Sequence, residues 1–164
     1  MGESTVCVEK GKREIMTEIK IICANLIEKN GTFLLVKEAK KSAEGLYNFP
    51  AGKLDGNETI IEGAIREAKE ETGLTVQPIN LVGVYQRPVG RKGDNVTVIV
   101  FKSNITSGKT TPTEKHPEVK FFSYGELKEM ERKGLLRSQY IMKSITDHKE
   151  GKLYDLSVIK TIKE

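Results

Sequence analysis

The stretch Thr59–Leu74, "TIIEGAIREAKEETGL", constrains the fold of this chain more than any other. Apolar residues recur there at helical spacing, and Thr59 with Glu62 has the arrangement of a capping box, which satisfies N–H groups at a helix start. Gly73 suits the left-handed residue that closes a helix. A helix is therefore expected from Thr59 to Thr72. At about 100° per residue, Glu67, Glu70 and Glu71 share one face with Gly63, and Ile61, Ala64, Ile65, Ala68 and Thr72 take the opposite side. The apolar side is expected to anchor the helix, leaving the acidic face free to meet a loop.

Such a face has a cost, because like charges three or four residues apart repel by a few tenths of a kcal/mol per pair. An ordinary surface helix avoids it. The loop at hand is "FPAGKLDG", just before the helix. Three carboxylates, joined by a backbone carbonyl from that loop, would form an oxygen-rich site suited to Mg²⁺ or Mn²⁺, and the cation would offset the repulsion. The plain alternative is a solvated acidic face.

The remaining sequence reads as one domain with helices and strands interspersed. Residues 1–16 are polar and uneven, and are expected to be a loosely packed extension before a domain over 17–164. "EIKIICANLIEKNGTFLLVKE" places two strand-like runs around Asn30-Gly31, a strong hairpin signal. "GLYNFPAGKLDG" reads as a short strand entering a loop. "LTVQPINLVGVYQR" and "NVTVIVFKSNI" are strand-like runs joined across a Gly-rich turn at "PVGRKGD", and "EVKFFS" is a further short strand. Ser123 and Glu126 form a second capping box opening a helix towards Arg132, and residues 138–148 make a third helical candidate. Without regular strand–helix–strand alternation, this order implies an α+β sandwich with helices on a mixed sheet.

Gly52, Glu58, Arg66, Glu67, Glu70, Glu71, Gly73 and Leu74 together fit the pattern G-x5-E-x7-R-E-U-x-E-E-x-G-U, with U a bulky apolar residue. At average residue frequencies the seven fixed positions would coincide by chance in roughly one chain in a million. The chain thus resembles the Nudix hydrolases, with Ala68 the one soft departure, small where a larger apolar residue is usual. The resemblance implies an α/β/α sandwich that cleaves a diphosphate linked to another group with the help of a divalent metal. It implies Glu67, Glu70 and Glu71 as metal ligands with the carbonyl of Ala51 or Gly52, Arg66 as the residue that orients the glutamates, and Glu58 as a structural partner near the helix start. The general base varies in the family; Glu67 is the first choice here and Glu118 the second.

"LYNFPAGKLD" and "LLRSQYIMKSITDHKEGKLYDLSVI" resemble the NudJ-like branch, whose members hydrolyse nucleoside di- and triphosphates and diphosphates of the thiamine precursor pathway. Tyr47 stands where that branch has Trp; it either stacks on a substrate ring or plugs the core. The alternatives are an ADP-ribose or nucleotide-sugar pyrophosphatase and, from another class, a non-catalytic nucleotide sensor. Nothing outside the Gly52–Leu74 pattern names a base or sugar.

Composition narrows the partners. The net charge of +4 is modest, and no basic block is interleaved with aromatics, so a small phosphorylated substrate is expected and nucleic acid is not. No apolar run reaches membrane-spanning length, and the N-terminus lacks the pattern of a signal peptide, so a cytoplasmic monomer or homodimer is expected. Cys7 and Cys23 lack metal-ligand spacing and are expected to be free thiols. His116 and His148 show no partner at ligand or catalytic spacing, and neither enters the expected site.

Overall fold

The computed structural model describes residues 18–88 and 94–162. The expected extension over 1–16, Cys7 and the middle of the turn at 88–94 lie outside them. In chain order the elements are strands β1 (Ile19–Leu26), β2 (Glu28–Lys29), β3 (Thr32–Lys37), β4 (Tyr47–Asn48) and β5 (Ala51–Lys53), then helix α1 (Ile60–Thr72). Strands β6 (Thr75–Arg87), β7 (Asn95–Ser107) and β8 (Val119–Ser123) follow. Helices α2 (Tyr124–Arg132) and α3 (Tyr140–Lys149) and strand β9 (Tyr154–Asp155) complete the order, with a 3-10 turn at Leu156–Val158.

The strands form two sheets. One runs β5-β1-β7-β6-β9 and is mixed, because β1 and β7 are parallel while the other pairs are antiparallel. The other is built around β3, with β8 along one edge and β2 and β4 on the other. The hairpin at Asn30-Gly31 is present, with both residues at positive φ (51° and 74°) as a tight primed turn demands. It pairs only β2 with β3, however. The long run expected as its first strand leaves at Ile27 and enters the other sheet as β1. A two-residue turn fixes the register next to it but not the path of the chain beyond.

The main core gathers Leu26, Phe33, Leu35, Phe49, Val100, Phe122, Leu127, Ile141 and Ile145 between the sheets and under α2 and α3. α1 covers the other side through Ala64 against Cys23 and Phe101, and Ala68 against Ile27, Leu34, Leu74 and Val76. Ala68 is fully buried, so its small side chain lets the helix approach closely. Cys23 is a buried free thiol whose pKa burial raises to about 11.

Both capping boxes form: Glu62 N–H donates to Thr59 Oγ1 while Thr59 N–H donates to Glu62 Oε2, and Ser123 and Glu126 repeat the exchange. Gly73, at φ 76°, closes α1 with its N–H on the Lys69 carbonyl. Fully buried Asn25 ties the helix to the loop before it. Its Nδ2 donates to the carbonyls of Ala64 (2.8 Å) and Pro50 (3.3 Å), its N–H donates to the Pro50 carbonyl, and its Oδ1 accepts from Ser103 Oγ.

Candidate active site

The division of α1 into an apolar inner and an acidic outer face does not hold. Its buried residues are Gly63, Ala64, Glu67, Ala68 and Thr72, while Ile61 and Ile65 are only half-buried. The glutamates separate accordingly. Glu67 is buried, the Glu71 side chain is 12% exposed and that of Glu70 is 60% exposed. The reason is β5, which packs against the side of α1 that carries Glu67 and Glu71, so that two carboxylates are drawn inward. Gly52 is what permits this approach, since a Cβ there would run into the Glu67 carboxylate.

Arg66 organises the outer half of the site. Its Nε donates to Glu58 Oε2 (2.9 Å) and its Nη2 to Glu58 Oε1 (2.6 Å), a two-point grip, and Nη2 also donates to the Lys53 carbonyl (3.0 Å). Nη1 donates to Glu67 Oε1 at 2.7 Å and to Glu70 Oε2 at 3.4 Å. Together with the Asp55 N–H, the guanidinium holds the Glu58 carboxyl at about 2. Burial raises the Glu67 pKa, with Arg66 opposing it.

Glu71 forms the inner half. Its Oε2 accepts from the Ala51 N–H at 3.0 Å. Burial pushes its pKa up to about 9 against the pull of that hydrogen bond, and the charges of Glu67, Glu38 and Glu70 add to the rise. His116, 8% exposed, places its Nε2 3.3 Å from Glu71 Oε1 and 3.6 Å from Glu38 Oε2. The contact with His116 holds the Glu38 carboxyl below its usual range despite burial. His116 therefore does have a partner among the glutamates, which sequence spacing could not reveal because the two lie 45 positions apart with strands β6 and β7 between them. His148 is also paired, with Glu28 Oε2 at 2.6 Å, on the β2–α3 side.

Glu118 and Tyr47 meet each other. Tyr47 Oη donates to Glu118 Oε1 at 2.9 Å, and burial followed by that carboxylate raises the phenol pKa to about 12. The Tyr47 ring stands edge-on to Phe122 (5.2 Å) with Lys37 Nζ 5.6 Å from its centroid. The ring is half-buried and packs against the main core. Beside it Tyr140 Oη donates to Asn48 Oδ1 at 2.6 Å, and burial and the charges of Glu71 and Glu38 raise its pKa. A separate cavity of about 600 Å³ beside β6 contains Lys143 and Lys152, but both pair with Asp147 (3.9 and 3.1 Å), which leaves little charge for a phosphate.

Among the described residues no three His, Cys, Asp or Glu side chains stand close enough to grip one ion as they are oriented, because Arg66 holds Glu67 and Glu70 while Ala51 and His116 hold Glu71. The donor set nonetheless fits a hard divalent cation. It is all oxygen, and Glu71 is a largely enclosed acidic group among like charges, whose pKa burial and those charges raise.

A sequence profile of the NUDIX domain matches residues 16–143. The chain is 33% identical over 102 residues to an ADP-ribose pyrophosphatase from Methanocaldococcus jannaschii, a match that takes in 62% of this chain and 60% of that one. It thus spans three fifths of that relative's length. It is 29% identical over 140 residues to the phosphatase NudJ of Escherichia coli strain K12, over 85% of this chain and 89% of the relative. Among solved structures, a NUDIX hydrolase from Nitrosomonas europaea superposes with a TM-score of 0.81 at 26% identity, covering 88% of this chain and 98% of the other.

Proposed function

The chain belongs to the Nudix family of pyrophosphohydrolases, and on that footing we propose that it hydrolyses a diphosphate linkage in a nucleoside di- or triphosphate, or a related organic pyrophosphate, by metal-dependent attack of water on phosphorus. The observation that carries the metal dependence is the placing of Glu71, largely enclosed beside Glu67 at the meeting of α1 and β5 among the like charges of Glu67, Glu38 and Glu70. Glu67, Glu70 and Glu71 would hold Mg²⁺ or Mn²⁺ with the carbonyl of Ala51 or Gly52. A bound ion would supply charge neutralisation for the diphosphate and a lowered pKa for a water beside it.

The protein's own groups do the rest. Arg66, locked by Glu58, sets the directions of Glu67 and Glu70. Glu67 accepts the proton of the attacking water, a role suited to a carboxylate whose basicity burial has increased. Glu118 is the second candidate for that proton, and its acceptance of the Tyr47 hydroxyl is a reason to rank it lower.

A second reading is cleavage of ADP-ribose or a nucleotide sugar, favoured by the likeness to the M. jannaschii protein of that description. A panel of nucleoside di- and triphosphates, ADP-ribose and nucleotide sugars, with Mg²⁺, Mn²⁺ or chelator and with fragments identified by phosphorus NMR, separates the two. Release of phosphate or pyrophosphate from nucleotides is the expected result. AMP with ribose 5-phosphate as the main products would select the second reading, and full hydrolysis in excess chelator would overturn the metal dependence.

A further inference from the structure

We propose that His116 is a positioning residue of this site: its Nε2 spans Glu71 and Glu38 and fixes the direction in which the Glu71 carboxylate faces. The proposal rests on the reading of Glu71 as a metal ligand.

The two oxygens of Glu71 are met from different sides, Oε2 by the Ala51 N–H at 3.0 Å and Oε1 by His116 Nε2 at 3.3 Å. Without the imidazole, one contact would remain and the carboxylate could turn about its last torsion, which has only broad minima. The backbone that carries the imidazole is held. Thr113 and His116 exchange backbone hydrogen bonds (2.9 and 3.2 Å), and His116 N–H also donates to Thr113 Oγ1 (3.0 Å). The same loop is fastened to the strand end that leads to Glu38, through Ala39 N–H on the Lys115 carbonyl (3.0 Å) and Lys37 N–H on the Glu118 carbonyl (2.8 Å). Nε2 is the end of the ring that faces both acidic side chains, 3.3 Å from Glu71 Oε1 and 3.6 Å from Glu38 Oε2. Groups that orient ligands in this way change metal affinity by about 10- to 100-fold when removed. A histidine that only filled space would need neither of the two acidic neighbours.

The test compares wild type, His116→Ala and His116→Gln, whose amide offers a donor near the same place. Mn²⁺ binding is measured without substrate by calorimetry, and the Mn²⁺ activation constant and kcat are measured on the best substrate of the panel. His116→Ala is expected to weaken Mn²⁺ binding and raise the activation constant about tenfold, with kcat at saturating Mn²⁺ nearly kept, and His116→Gln to restore most of the affinity. Unchanged Mn²⁺ binding in His116→Ala overturns the proposal, as does a Gln variant that folds yet binds as poorly as Ala. A fall in kcat at saturating metal with unaltered binding also overturns it, since His116 would then act on the reacting atoms. Should His116→Ala not fold, His116→Leu, of closer volume, carries the same measurements. Failure of the wild type to bind Mn²⁺ overturns the reading of Glu71 and this proposal with it, whereas normal wild-type binding left intact in His116→Ala overturns this one alone.

Discussion

Arg66 hydrogen-bonds to three glutamates and one carbonyl and pairs with Asp55 at 3.5 Å, and its bond to Glu58 makes part of the fold's stability acid-sensitive. Glu58 titrates at about 2 in the folded chain against 4.5 unfolded, so its contribution is fully present above pH 4.5 and is lost as pH falls from there towards 2. Acid denaturation of wild type and Glu58→Gln should therefore show a stability gap at pH 6 that closes below pH 3; a gap independent of pH would mean that Glu58 acts through shape and not charge. Gly52 offers a second test at this scale. Gly52→Ala should lower hydrolysis on the order of 100-fold by displacing Glu67, while Gly56→Ala, which meets open space, should leave the rate near wild type. Glu67→Gln should likewise cost more turnover than Glu118→Gln, and the reverse order on folded protein would move the base to the β8 side.

At the scale of elements, α1 is placed by Asn25 as much as by its apolar residues. Asn25→Ala should cost about 1–3 kcal/mol in denaturant melts, because it leaves the Ser103 hydroxyl and the Ala64 carbonyl buried without their partner. What the sequence revealed and concealed follows one physical line. Thr59, Glu62, Gly73 and the Asn30-Gly31 turn act on neighbours within a few residues, so their consequences could be read directly. The spaced Gly, Glu and Arg positions from Gly52 to Gly73 were legible through the pattern they share with the Nudix family, not through local spacing alone. Asn25 and His116 were not, because each acquires its role only when distant strands bring Ala64 or Glu71 beside it. Nor could helical spacing tell which side of α1 β5 would cover, and so which glutamates would be buried.

For the molecule as a whole, the site lies where a strand of the mixed sheet meets α1, and its inward carboxylates set a conflict that the proposed cation would resolve. The sign of the pH effect follows from Glu71. With a folded pKa of about 9 against 4.5 unfolded, it stabilises fully below pH 4.5, and that stability is lost as pH rises towards 9. In chelator, wild type should therefore lose more stability than Glu71→Gln between pH 5 and 9, because the amide keeps an acceptor for the Ala51 N–H without the charge. Metal should reverse the ranking, since a ligand that binds only the native state stabilises it by about 2.7 kcal/mol at a hundredfold excess over its dissociation constant. The direct test is thermal melting of wild type and Glu71→Gln at pH 8, first in chelator and then across a Mn²⁺ titration. The wild type should melt no higher than the mutant in chelator and gain on the order of 5–10 °C from saturating Mn²⁺, with a much smaller gain in Glu71→Gln. Equal metal-induced shifts in the two proteins would contradict the account, because Glu71 would then hold no ion.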